Sequence, residues 1–143
     1  CHETQEQVAK AKSRHQPVEN GECSSCHTPH AAENKALLTK TGAALCYECH
    51  DDLQQKIAAA RSKHQPAEQG DCAACHGAHS AETASLLVKP MPGLCYDCHE
   101  NTQLRKVRQH RLAAEPGNCM KCHDPHQSGL RKLLSQGKRG EDQ

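Results

Sequence analysis

Three features of the sequence predict a mainly α chain with much irregular structure, few short helices and a core that its own side chains do not supply. The first is composition. A chain of 143 residues would ordinarily form one domain around one apolar core, but Trp and Phe are absent and Tyr occurs only as Tyr47 and Tyr96. The large rings that usually fill an interior are missing. Mean hydropathy is −0.88, a polarity that suggests disorder, yet disorder goes with high net charge and here 18 basic residues nearly balance 17 acidic ones. The second feature is an excess of 11 Cys and 12 His, the residue types that hold metals and cofactors. The third is an internal repeat, which decides architecture before any local reading does.

Each repeat reads His, a short linker, Cys-x-x-Cys-His-x-x-His, a Leu-Leu segment and a second Cys-x-x-Cys-His. Ser-Arg-His15-Gln-Pro returns 49 residues later as Ser-Lys-His64-Gln-Pro, and the same step carries Cys23 to Cys72, His30 to His79 and Cys46 to Cys95. A third copy follows 46 residues after His64 at His110, and 47 residues after Cys72 and His79 at Cys119 and His126. The expected organisation is a single domain of tandem repeats: 1–14 the remnant of a preceding unit, 15–63 the first repeat, 64–109 the second, 110–135 a partial third and 136–143 a charged, solvated tail. Cys1-His2 occupies the place of the last two residues of a second-type motif, so a longer parent chain is expected. Eight residues after Leu38 and Leu87 come Cys46 and Cys95, but the same count from Leu134 reaches Asp142.

Helices are expected between motifs. Leu53, Ile57, Ala60 and His64 fall at spacings of 4, 3 and 4, as do Thr4, Val8, Ala11 and His15, which places each His on the apolar stripe of a helix. Pro17 and Pro66, two residues beyond, are read as helix ends. In the third repeat Leu104, Val107 and His110 give a stretch about one turn shorter.

Five Cys-x-x-Cys-His motifs are complete: Cys23, Cys26, His27; Cys46, Cys49, His50; Cys72, Cys75, His76; Cys95, Cys98, His99; and Cys119, Cys122, His123. In such a motif two thiols add to the vinyl groups of haem and the adjacent His is placed to ligate the iron from the proximal side. Cys1 and His2 supply the remnant of a sixth. The spacing Cys-x2-Cys-x19-Cys-x2-Cys also matches a zinc ribbon, but zinc leaves unexplained why His follows every second Cys and why the fifth pair has no partner. Cys pairs so close in sequence are poor structural disulfides, and thioredoxin-like chemistry wants one pair in a βαβ setting.

Six His remain outside the motifs: His15, His30, His64, His79, His110 and His126. They recur in register, which surface histidines do not, and they match six proximal His as distal ligands. The count gives five haem c groups and a sixth if Cys1 carries one. His30, only three residues after His27, spans about 10 Å at full extension, too little to round the macrocycle to the same iron. His30, His79 and His126 are therefore expected to serve neighbouring haems, with Pro29 and Pro125 stiffening two of the links.

Through the blocks HQPVENGECSSCHTPH, HQPAEQGDCAACHGAH and HRLAAEPGNCMKCHDPH the chain resembles the multihaem c-type cytochromes of the doubled Cys-x-x-Cys-His type. The resemblance implies bis-His, low-spin haems in stacked and perpendicular pairs forming the core. It also implies haem attachment outside the bacterial cytoplasm, hence a periplasmic or extracellular location, and respiratory electron transfer of the kind found in metal-reducing bacteria.

With both axial positions filled on every iron, the expected role is electron transfer with no substrate chemistry; the catalytic residues are none. The rivals are a multihaem reductase with one open haem and a subunit of an extracellular cytochrome filament. No apolar run approaches a membrane span and no signal-peptide pattern precedes Cys1. Two propionates against one porphyrin-bound cation give each oxidised haem about one net negative charge, making the holoprotein acidic. Expected partners are redox proteins, among them periplasmic or outer-membrane cytochromes and a terminal acceptor, with no nucleic acid. Arg105, Lys106, Arg108, Arg111, Arg131, Lys132, Lys138 and Arg139 are read as a solvated or propionate-pairing surface rather than a dock.

Overall fold

The computed structural model describes residues 2–104, 106, 110 and 119–135. Helices α1 (His2–Lys10), α2 (Gln16–Glu19), α3 (Ala43–Cys46), α4 (Asp51–Ala59), α5 (Gln65–Glu68), α6 (Gly93–Tyr96) and α7 (Asn101–Leu104) are short, and only α1 and α4 exceed one turn or so. Loops and 3-10 turns carry most of the rest, so the fold is mainly helical with much irregular structure. No described helix is long and apolar enough to cross a membrane.

The apolar stripes of the two longer helices are as expected: Val8, Ala11 and Ile57 are the buried apolar residues among those described. Their histidines are not on those stripes. Helix α1 ends at Lys10 and α4 at Ala59. His15 instead stands extended at φ −74°, ψ 126° as the residue before α2, and Pro17 sits in the first turn of that helix. This corrects the reading of Pro17 and Pro66 as helix ends. Proline lacks an N–H, and a helix's first turn has spare N–H groups, so proline starts a helix as readily as it stops one. The expected continuation through Val107 lies outside the described residues, as does the 136–143 tail.

The residues between α1 and α2, and between α4 and α5, form strands that composition did not predict. Strand β1 (Ser13–Arg14) pairs antiparallel with β3 (Ser80–Ala81), with Ser13 opposite Ala81 and Arg14 opposite Ser80. Strand β2 (Ser62–Lys63) pairs with β4 (Gln127–Ser128) in the equivalent register. The strand just ahead of each of these repeat-opening histidines, His15 and His64, thus pairs with the loop of the following repeat.

The chain divides into two compact units: Cys1–Gln54 with Gln69–Lys89, and Gln55–Glu68 with Pro90–Gln143. Each contains one ladder and is assembled from parts of successive repeats. The polypeptide buries little. No described side chain is fully buried.

Candidate haem-binding site

Every first-type motif is held by the same local device. A 3-10 turn at Cys23–Ser25, Cys72–Ala74 or Cys119–Lys121 brings the two Cys and the His together, closed by the His27, His76 and His123 N–H groups donating to the first Cys carbonyl at 2.9, 3.0 and 2.9 Å. The chain then turns back through the Leu-Leu segment, so that His27 bridges Leu38, His76 bridges Leu87 and His123 bridges Leu134. That return requires two successive left-handed residues: Ala36 and Leu37, Ser85 and Leu86, Lys132 and Leu133, all at φ 55–59°. For residues with a Cβ this conformation costs about 1–2 kcal/mol each, and it persists only where the surroundings enforce it. Its consequence is local to the site. The first left-handed residue aims its carbonyl at the motif histidine, and Nδ1 of His27, His76 and His123 meets the carbonyls of Ala36, Ser85 and Lys132 at 2.7, 2.9 and 2.9 Å.

The repeat-opening histidines are fixed by the ladders. His15 donates its N–H to the His79 carbonyl at 2.9 Å and meets the Ala78 carbonyl through Nδ1 at 2.9 Å. His64 repeats this with the carbonyls of His126 and Pro125 at 3.0 and 2.8 Å. The ladders are clasped by serine: the Leu86 N–H donates to Ser13 Oγ at 2.9 Å, and the Leu133 N–H to Ser62 Oγ at 3.0 Å. His110 Nδ1 meets the Leu104 carbonyl at 3.1 Å. An imidazole that gives Nδ1–H to a carbonyl keeps the lone pair of Nε2 for a metal, and its orientation is set.

Histidines then face one another in pairs. In the first unit the ring centroids of His15 and His50 are 6.3 Å apart with planes 17° from parallel, and those of His27 and His79 are 6.1 Å apart at 28°. In the second unit His64 faces His99 at 6.0 Å and 21°, and His110 faces His123 at 6.0 Å and 61°. A metal–imidazole bond of about 2 Å, plus about 1.1 Å from nitrogen to ring centre, places two imidazoles on opposite sides of one metal with centroids about 6.2 Å apart. The spacing fits a shared iron. Each motif carries two thiols outside any disulfide. Among the described residues no three His, Cys, Asp or Glu side chains converge as a zinc site requires.

The motifs also lie close to one another. Burial pushes the Cys46 thiol up from its ordinary value, and Cys72 beside it adds to the effect; burial and then Cys49 do the same for Cys26, and burial with Cys72 and Cys46 for Tyr47. These cysteines stay protonated near neutrality, as thiols that can add sulfur and hydrogen across a vinyl double bond. Gly70, at φ +75°, makes the approach possible, since a Cβ there would lie 2.5 Å from Ala43 Cβ. Burial, helped by His27 and His15, lowers the His79 pKa and keeps that ring in its neutral, metal-binding form.

His76 and His126 are held by their own loops, the latter through its N–H to Asp124 Oδ1 at 2.8 Å. His30 faces no other described ring. Cys1 lies outside the described residues, as does the His2 side chain. The serines and the carbonyl acceptors were missed by sequence reasoning. Ser-x-His recurs in two repeats and could have pointed to Ser13 and Ser62, whereas nothing in the residue types marks Ala36, Ser85 or Lys132.

Tandem Cys-x-x-Cys-His turns with oriented imidazoles and free thiols define a c-type cytochrome, an electron-transfer protein with the capacity to bind several haems covalently. The chain belongs to the doubled CXXCH motif family, which it matches over residues 15–55, 64–104 and 110–142. No curated protein matches it.

Proposed function

We propose that this chain conducts electrons along an array of bis-His c haems and carries out no substrate chemistry. The observation that supports this most directly is the facing of four histidine pairs at the separation expected across one metal. On this reading His50 and His15, His27 and His79, His99 and His64, and His123 and His110 are the axial pairs. The thioethers come from Cys23, Cys26, Cys46, Cys49, Cys72, Cys75, Cys95, Cys98, Cys119 and Cys122. His76 serves the remaining complete motif, His2 the remnant at Cys1, and His30 and His126 are left as further distal ligands.

When bound, each haem supplies a one-electron iron couple. The polypeptide sets distance and orientation. The His15 N–H bond to the His79 carbonyl joins a ligand of one proposed site to a ligand of the next by one hydrogen bond, and His64 with His126 repeats the link. His76 and His79 lie three residues apart and belong to different proposed sites. Filled axial positions leave no iron open to a small molecule, which supports a conduit over a reductase. The acidity expected of the holoprotein favours basic redox partners, and the family resemblance supports anaerobic respiratory work in the periplasm or outside the cell.

The test is intact mass with electron paramagnetic resonance on the oxidised holoprotein. Five or six haem additions and wholly low-spin iron are expected, and His79→Ala should convert one haem to high-spin. A high-spin signal in the unaltered protein would sink the conduit reading, and a colourless protein would sink the haem.

A further inference from the structure

We propose that the first repeat carries an open docking edge, built to receive the Ser-x-His strand of a further doubled-motif repeat lying directly upstream of Cys1 in the same polypeptide. The edge consists of the Pro29 and His30 carbonyls and the Leu37 N–H. The inference rests on the haem reading only for the role it gives His30.

The second and third repeats show what this edge does when filled. In the second, the Ala78 and His79 carbonyls take the ring and N–H of His15, and the Leu86 N–H goes to Ser13 Oγ. In the third, the Pro125 and His126 carbonyls take His64, and the Leu133 N–H goes to Ser62 Oγ. The first repeat has the same loop, already shaped: Ala36 and Leu37 are left-handed, His27 is tied to Ala36, and the Thr28 N–H donates to the Leu37 carbonyl at 2.8 Å. Among the described residues no hydrogen bond reaches the Pro29 or His30 carbonyl, and no serine hydroxyl stands at the Leu37 N–H as one does at Leu86 and Leu133.

Three further differences point the same way. Leu37 is 38% exposed, whereas its counterparts Leu86 and Leu133 are half-buried. Gly21 has the same φ of +75° as Gly70, but a Cβ on Gly21 would meet nothing within 4 Å where one on Gly70 meets Ala43. His30 faces no described ring, while its counterpart His79 faces His27 of the repeat before. Strand, facing histidine and glycine neighbour all come to the second repeat from one continuous stretch on its N-terminal side, residues 13–43.

That shared origin identifies the occupant. A second copy of the chain is a poor donor, because its Ser13 and Ser62 strands are engaged within it and its third repeat has Arg108 where they have serine. An upstream repeat supplies every missing contact at once.

Residues 1–48 joined ahead of residue 1 make the test, because Cys46-Tyr47-Glu48 of the added copy then run into Cys1-His2. In the holoprotein of this longer chain, amide exchange at Leu37 should slow about tenfold, toward the rate of Leu86. Ser13→Ala in the added copy should restore fast exchange. Unchanged exchange at Leu37 overturns the proposal, and so does exchange in the original chain that slows with protein concentration, which would assign the edge to a second copy. Should the longer chain not fold, Ser13→Ala in the original holoprotein must speed Leu86 about tenfold and leave Leu133 unaltered; no effect there overturns the clasp. Haem load and spin state of the original chain are read separately, so a failed dock and a failed haem assignment give different results.

Discussion

His76 and His99 each close a Cys-x-x-Cys-His motif, yet the two are supported differently. Around His76 the chain folds back through two left-handed residues and ties the ring to the Ser85 carbonyl. His99 follows the single helical turn of α6, and its ring makes no hydrogen bond among the described residues; it faces His64, whose ring is tied to Pro125. The same holds in the first unit, where tied His15 faces untied His50 and tied His27 faces untied His79. One fixed ring per pair is enough to leave the planes within 17–28° of parallel. His110 and His123 are both tied, each by its own loop, and their planes cross at 61°. Orientation can thus be imposed from either side of a proposed iron, and imposing it from both fixes a different angle.

This contrast between braced and unbraced motifs can be broken most forcefully at Leu86. Leu86→Pro forces φ negative and removes the N–H given to Ser13, and should cost the holoprotein about 3 kcal/mol, read by thermal unfolding. An unchanged melting temperature would mean that the return loop is not the rigid half. Ser62→Ala removes one acceptor and should cost about 1 kcal/mol, with faster exchange at Leu133 and none of it at Leu86. Ser85→Gly should act with the opposite sign, since glycine accepts the left-handed conformation freely, and a gain of up to about 1 kcal/mol is expected. A loss would show that the serine side chain, not its backbone, matters.

The smallest effect concerns pH. The folded-state pKa of His79 is lowered from 6.5, so between that lowered value and 6.5 the unfolded chain binds more protons. The contribution of His79 is therefore present above 6.5 and is lost as pH falls through the window. Its ring stays neutral to more acid pH than a histidine of ordinary pKa. In an acid titration of the low-spin spectrum, the step abolished by His79→Ala should fall below pH 6.5. A step above pH 6.5 would show that burial does not protect that ligand.

Much of the candidate site was legible because its chemistry is local. Two Cys and a His within five residues close one turn, and five such turns with six further His in phase were visible without any contact. The apolar stripe of α1 and α4 was equally plain in the spacing of Val8, Ala11 and Ile57. The placement of His15 and His64 was not, since a proline two residues on fits a helix start as well as an end. The left-handed pairs could not be read from Ala-Leu, Ser-Leu and Lys-Leu, because no glycine marks them.

By itself, then, the sequence determined the capacity for covalent haem attachment and the supply of candidate ligands, both of which depend on neighbours a few residues apart. Only the tertiary structure decided which histidine faces which, which ring is tied, and which repeat hands its strand to the next. The strand exchange and the ties on His15 and His64 rest on hydrogen bonds between residues 61 to 73 apart in the chain. No spacing rule reaches that far, because the partner there is chosen by the direction of a backbone carbonyl and not by the identity of the residue that carries it.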